Sequence, residues 1–397
     1  MPRFEPFQAL RYGSNIELRE VCSPPYDVLS ETDRLALANK HENNIVHIDM
    51  PLAPSGSAYE HAASLLTQWI GNGVFVRDDV PSFTLYRMKF TDPTGKPRNV
   101  VGVIGALEVV DEGAGGVLPH ERTTPKAKTD RLELTRATDA NLSPVWGLSL
   151  ANGLSKLLTE PGEVVGGLID DLGVTHSVER VTDDARIAAI SSAISGHPVV
   201  IADGHHRYAI SRTYRDETRE RLNSKSSGAE LTMTYVNELI DEQLSVAAIH
   251  RLYEGITYKE LAAALSPFFT ITDADPVGST TLSQMNERRS LCLVAKTGRT
   301  HWLTPIAEKF AGIRNLDSAY LEHALSNVNH EVRYQHGVAE VQHELKTSSA
   351  TAAILIRPVS VAEIQRTASE GLLMPPKSTF FTPKLRTGFV LREMQTR

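Results

Sequence analysis

"PVVIADGHHRYAISRTYRDE", residues 198–217, sets an apolar run against Asp203, Gly204, His205, His206 and Arg207 and then continues with helical spacing. The run 198–202 reads as a short buried strand, and the part beyond Gly204 as a helix. A strand that enters a helix through glycine exposes unpaired N–H groups at the helix start, where partial positive charge favours anions. Gly204 has no Cβ to hold a ligand away. Arg207, one turn in, can offer a two-pronged donor to a phosphate, and His205 and His206 add donors whose charge follows pH. Asp203 suits such a place only if a cation such as Mg²⁺ bridges it to the anion, or if it acts as a base. Together these residues point to a Mg–nucleotide site. The plainer alternative has Asp203 as a helix N-cap and the histidines and Arg207 as surface polar groups. A zinc site is disfavoured, since adjacent histidines on one helix diverge and no third ligand is evident.

Working outward, "VTHSVERV" (174–181) alternates as a strand, and 182–195 repeats apolar residues at Ile187, Ile190 and Ile194 behind Thr182 and two acids, an amphipathic helix. Upstream, a Pro-Pro loop at 24–25 precedes a helix capped by Ser30, and 57–71 reads as a second helix closed near Gly71–Gly73. "SFTLYRMKF" (82–90) and "NVVGVIGALEVV" (99–110) read as strands about a "DPTGK" turn. A helix is expected from Thr129–Asp130, stopped by Ser143–Pro144. Strand-like runs follow at 231–240 and 244–253, a helix at 258–269, and a Pro-punctuated strand-loop-strand at 370–392. No internal repeat or low-complexity tract is evident. The expected class is α+β with mixed sheets, in three regions: 1–170, 171–257 and 258–397.

The totals set limits. A chain of 397 residues can bury two or three cores. A net charge of −7 gives no global basic field for nucleic acid or an anionic membrane. Two cysteines, Cys22 and Cys292, argue against a disulfide framework and suit a reducing cytoplasm. Neither a signal-peptide core nor a membrane-length apolar run is seen, so a cytoplasmic protein is expected.

Two further stretches carry chemistry. "HERTTPKAKTDR" (120–131) combines Glu121 with Arg122, Lys126, Lys128 and Arg131, which could wrap a polyphosphate while Glu121 moves a proton. "PPKSTFFTPKLRTG" (375–388) carries Lys377, Ser378, Thr379, Lys384 and Arg386, suited to phosphate or carboxylate. Taken alone, the first reads more plainly as a solvated surface loop and the second as a terminal hairpin with solvent-facing lysines. "PPYDV" (24–28) presents Tyr26 and Asp27 or simply turns, and His250 at a strand end suits a core histidine. A P-loop, a kinase H-R-D and a dinucleotide G-x-G-x-x-G are all absent.

"PPYDVLS", "NIVHIDMP", "HERTTPKAKTDRLELTRATDANLSPVWGL", "ADGHHRYAISRTYRDE", "IHRL" and "MPPKSTFFTPKLRTG", in this order, resemble a bacterial and archaeal domain-of-unknown-function family, number ten-fifteen. The D-G-H-H-R segment is similar to the phosphate-binding turn of the ParB/sulfiredoxin-like fold and to that of free-serine kinases. The resemblance implies a ParB/sulfiredoxin-like nucleotide-binding core, with Asp203 as the Mg²⁺-side acid and Gly204, His205, His206 and Arg207 around the phosphates. The kinases' base glutamate does not transfer by motif, and Glu121 is the candidate on chemistry alone. Sulfiredoxin-type redox chemistry is disfavoured, since His205 and His206 stand where its cysteine would be. The expected function is Mg²⁺- and ATP- or ADP-dependent phosphoryl transfer to a small hydroxylated metabolite, a hydroxy amino acid such as serine being one option. Alternatives are a nucleotide-switched DNA-binding protein, which lacks a helix-turn-helix and a basic face here, and a nucleotide hydrolase or sensor.

Overall fold

The computed structural model describes residues 1–53, 56–92, 95–120 and 128–396. It divides into two compact units, Met1–Ser245 with Pro383–Arg397, and Val246–Thr382.

The first unit is built on a nine-stranded mixed sheet. Its strands are β1 (Phe4–Glu5), β2 (Phe83–Thr91), β3 (Pro97–Glu108), β4 (Val117–Pro119), β5 (Val145–Ser149), β6 (Glu163–Ile169), β7 (Thr175–Val181), β8 (Val199–Asp203) and β9 (Leu231–Glu238). They lie in the order β4-β8-β5-β9-β3-β2-β7-β6, with β1 paired to β3. Pairs β4–β8 and β5–β9 are parallel and the others antiparallel. β2 and β3 form the expected hairpin, Thr84 opposite Ile104. The strand–helix–strand run into Asp203 is also present, but β7 and β8 are not neighbours: β2, β3, β9 and β5 lie between them.

Six helices of this unit matter for the site: α1 (Glu31–Lys40), α2 (Val46–Asp49), α3 (Ala58–Gly71), α4 (Lys128–Thr138), α5 (Asp184–Ser195) and α6 (His205–Leu222). Ser30 caps α1 in a capping box with Asp33. α5 is capped by Asp183, its carboxylate accepting Arg186 N–H. Ile190 and Ile194 of α5 and Tyr208 of α6 join sheet residues such as Val103, Val145, Val199 and Val236 in one core. α4 ends at Thr138, before the expected Ser143–Pro144 stop. Asp139 takes a left-handed conformation, φ 51°, and its carboxylate accepts from Tyr214 and Thr396, far along the chain.

The second unit holds a six-stranded antiparallel sheet made of β10 (Ile249–Glu254), β11 (Phe269–Ala274), β12 (Leu291–Ala295), β13 (Thr300–Pro305), β14 (Glu331–His336) and β15 (Ala352–Leu355). Strand order is β11-β13-β12-β15-β10-β14. Thr257 caps the helix Tyr258–Leu265 with Glu260 in a capping box. The expected strand-loop-strand at 370–392 is mostly irregular, with two-residue strands at Phe380–Phe381 and Arg392–Glu393. Among the described residues no helix is long and apolar enough to cross a membrane.

Candidate functional site

β8 delivers Asp203 to the N-terminus of α6 through Gly204, whose φ of +84° is a conformation that a side chain resists. A Cβ on Gly204 would stand 3.0 Å from Arg207 Nε and 3.1 Å from its Cζ. The glycine thus does two things: it turns the chain left-handed and lets the Arg207 guanidinium fold back over the turn.

Arg207 Nη2 donates to Asp203 Oδ2 at 2.8 Å, and Nη1 donates to the Pro144 carbonyl. Lys384 Nζ donates to the other carboxylate oxygen, Asp203 Oδ1, at 3.1 Å. One half-buried acid therefore holds two cations, from α6 and from the C-terminal segment. Burial opposes the Asp203 charge, but Lys384 and then Arg207 outweigh it and keep the carboxyl far below its usual range. Burial likewise opposes the Arg207 charge, and Asp203 foremost holds it on.

His120 lies fully buried behind the turn, with Nδ1 against the Ile201 carbonyl. A carbonyl only accepts, so Nδ1 carries the proton and Nε2 keeps its lone pair. Burial lowers the His120 pKa to about 4, which keeps the ring neutral. The His205 ring stacks at a tilt on it, centroids 4.9 Å apart, and both His205 and His206 are half-buried on the first turn of α6.

Beside the turn, Arg131 of α4 donates to the Asp49 backbone carbonyl at 2.5 Å and to Asp49 Oδ1 at 3.2 Å. Its guanidinium lies 4.2 Å from the centre of the Tyr26 ring. Tyr26, Asp49, Arg131 and Arg207 share the wall of one small cavity. The turn, the 24–28 loop, the end of α2 and the start of α4 are thus brought together.

The Lys384 segment is fastened from behind by a buried relay. Tyr86 Oη accepts Arg386 N–H at 3.0 Å and lies 2.9 Å from His176 Nδ1, while His176 Nε2 lies 3.1 Å from Asp170 Oδ2. Asp170 can only accept, so Nε2 bears the proton and Nδ1 receives the Tyr86 hydroxyl's. Burial holds the His176 pKa at about 4 despite Asp170.

Of the residues singled out from sequence, Asp203, Gly204, His205, His206, Arg207, Arg131 and Lys384 lie in the first unit at or beside this turn. Lys128 opens α4, with its side chain outside the described residues, as are Glu121 and Lys126 altogether. Lys377, Ser378 and Thr379 belong to the second unit. There the Lys377 carbonyl accepts from Arg251, and the buried Ser378 hydroxyl bonds the Pro375 carbonyl and Ser318. Asp49 was missed. The stretch Ile45–Met50 also holds His47, and nothing in its pattern marks the acid out.

The residues do not make a ready Mg²⁺ site. Both Asp203 oxygens already accept from cations, and among the described residues no cluster of three or more His, Cys, Asp or Glu side chains could hold a metal ion. Asp203 fastens Arg207 and Lys384, a different task from the metal ligation that the resemblance implied.

A family model described as a protein of unknown function, DUF1015, matches residues 4–319. The chain belongs to the DUF1015 family. No curated protein matches this DUF1015 chain. Among solved structures it is similar to a conserved hypothetical protein from Pyrococcus furiosus, at 12% identity and TM-score 0.39, covering 70% of this chain and 92% of that one. A free serine kinase in complex with AMP is similar at 11% identity and TM-score 0.39, covering 71% and 89%. SbnI from Staphylococcus aureus, C-terminally truncated, is similar at 12% identity and TM-score 0.39, covering 73% and 87%. Likeness at this level transfers neither activity nor residue roles.

Proposed function

We propose that this DUF1015 protein binds a nucleotide polyphosphate at the Asp203–Arg207 turn and transfers a phosphoryl group to a small hydroxylated metabolite. The observation that carries the reading is the convergence of Arg207 and Lys384 on Asp203 at the start of α6. Arg207, Lys384 and, beside them, Arg131 bring cations to a helix end whose N–H groups also favour anions. Phosphoryl transfer asks the protein mainly to position reactants and neutralise charge, which rigidly held cations supply. Arg207 is anchored by Asp203 and the Pro144 carbonyl, so it meets a phosphate with its position already set. Any Mg²⁺ that accompanies the nucleotide would be held by phosphate oxygens and water.

The test is phosphorus NMR of the purified protein with Mg–ATP or Mg–ADP against a panel of hydroxylated metabolites. A new phosphomonoester resonance with one acceptor, lost in Arg207→Ala, is the expected result. Nucleotide that stays intact with every acceptor, or is consumed at the same rate without any, contradicts transfer.

A further inference from the structure

The cavity beside the turn has a volume of about 50 Å³ and is walled by Tyr26, Asp49, Arg131, Asn141, Ser143 and Arg207. Space of that size takes a few water molecules or a group as small as a hydroxymethyl, and the wall is polar enough to hold either. Asp49 is the anomaly in it. The side chain is 3% exposed, yet only Oδ1 is engaged, by Arg131. Oδ2 is buried without a hydrogen-bond partner. A buried polar atom left unpaired is costly, and a charged one more so, which makes this oxygen a group built to receive a donor from elsewhere.

The surroundings select which oxygen is left over and set its basicity. Arg131 is itself fixed, donating to Asp130 at 2.9 Å and packed over Tyr26, so it holds Oδ1 and leaves Oδ2 as the acceptor. Burial raises the Asp49 pKa, the Arg131 and Arg207 charges oppose the shift and the Asp27 and Asp130 charges add to it, which makes this carboxylate a stronger base than an ordinary aspartate. Arg207 belongs to both places: it walls the cavity and pairs with Asp203 at the turn.

Building on the phosphotransferase reading, we propose that this cavity receives the primary hydroxyl of a small acceptor and that Asp49 Oδ2 is the catalytic base. The acceptor's hydroxyl proton passes to Oδ2 as its oxygen bonds the terminal phosphorus. The phosphorus–oxygen bond to the nucleotide breaks, and its electron pair leaves on the nucleotide's oxygen. The proton on Asp49 is then returned to water. Cavity size favours a hydroxymethyl group on a flexible chain over a hydroxyl set in a sugar or inositol ring.

The test follows transfer by phosphorus NMR with two sets of acceptors, small primary alcohols and ring polyols, using wild type and Asp49→Asn. Calorimetry with ATP and ADP and circular dichroism accompany each protein. The expected result is wild-type transfer to a primary alcohol, slowed at least 100-fold in Asp49→Asn, the scale of a lost general base, with nucleotide affinity within about twofold. An Asp49→Asn rate within threefold of wild type overturns the base assignment and leaves the phosphotransferase reading standing. Transfer confined to ring polyols overturns the assignment of the cavity. Absence of transfer by wild type overturns both. Should Asp49→Asn not fold, the wild-type pH profile decides: kcat/KM must fall on acidification as one carboxylate protonates, and a profile flat down to pH 4 refutes the base.

Discussion

Replacing Asp203 with Asn removes the charge that holds Arg207 and Lys384 together, and its effect can be sized from the geometry. Two charge-assisted bonds, at 2.8 and 3.1 Å, depend on that carboxylate. Each such bond is worth about 1.5–3 kcal/mol. The Asp203 side chain is 23% exposed, so solvent screens part of this, and an amide oxygen can still accept one bond. A net loss of about 2–3 kcal/mol is expected. Urea unfolding followed by tryptophan fluorescence measures it, after Trp302→Phe removes the tryptophan of the second unit and leaves Trp69 and Trp146 in the first. With a slope of about 2–3 kcal/mol per M, the midpoint should fall by about 1 M. Inorganic phosphate should restore more stability to the variant than to wild type, because Arg207 and Lys384, relieved of the Asp203 charge, bind the anion more tightly. A midpoint unmoved by the substitution, together with equal phosphate effects in both proteins, would refute the claim that Asp203 organises these cations. Since the folded carboxyl is held below its unfolded range, its contribution is complete above about pH 4 and is lost as pH falls further. The gap between variant and wild type should close only in strong acid.

Lys384→Met should weaken ATP binding about tenfold in calorimetry, one charge-assisted contact's worth, with ATP affinity unchanged as the contrary result. Gly204→Ala places a side chain at φ +84° and against the Arg207 guanidinium, so it should lower stability by at least about 1 kcal/mol in urea unfolding. Tyr86→Phe leaves Arg386 N–H and His176 Nδ1 without their bonds, and should cost about 1–3 kcal/mol by the same assay. His120 and His176 stay neutral in the fold down to about pH 4, whereas the unfolded chain protonates them near pH 6.5. First-unit stability should therefore drop by about 2 kcal/mol from pH 6 to pH 5, and a flat pH profile there contradicts their burial as neutral rings.

Local signals marked several elements, although the helix expected over 258–269 ends at Leu265 and Phe269 begins a strand. Ser30 announces a helix start because the cap and its third-position acid lie within one turn. The 82–110 hairpin shows in its alternation and turn, and the β8–Gly204–α6 junction in its apolar run and glycine. Elsewhere the deciding partners are remote. The end of α4 depends on Asp139 meeting Thr396, and the separation of β7 from β8 depends on strands drawn from 83–108, 145–149 and 231–238. Lys384 was visible as a cation, but not its pairing with an acid 181 residues away. Ser378 had the residue type of a phosphate ligand, yet its hydroxyl is spent on Pro375 and Ser318. Asp49 escaped notice because its peculiarity, one buried oxygen without a donor, exists only in three dimensions.

Calorimetric titration of wild type with adenosine, AMP, ADP and ATP, with and without Mg²⁺, addresses the turn directly. If Arg207 and Lys384 hold a polyphosphate there, affinity climbs with each added phosphate and weakens as salt rises. Equal affinity for adenosine and ATP, or no heat from any of the four, would contradict it.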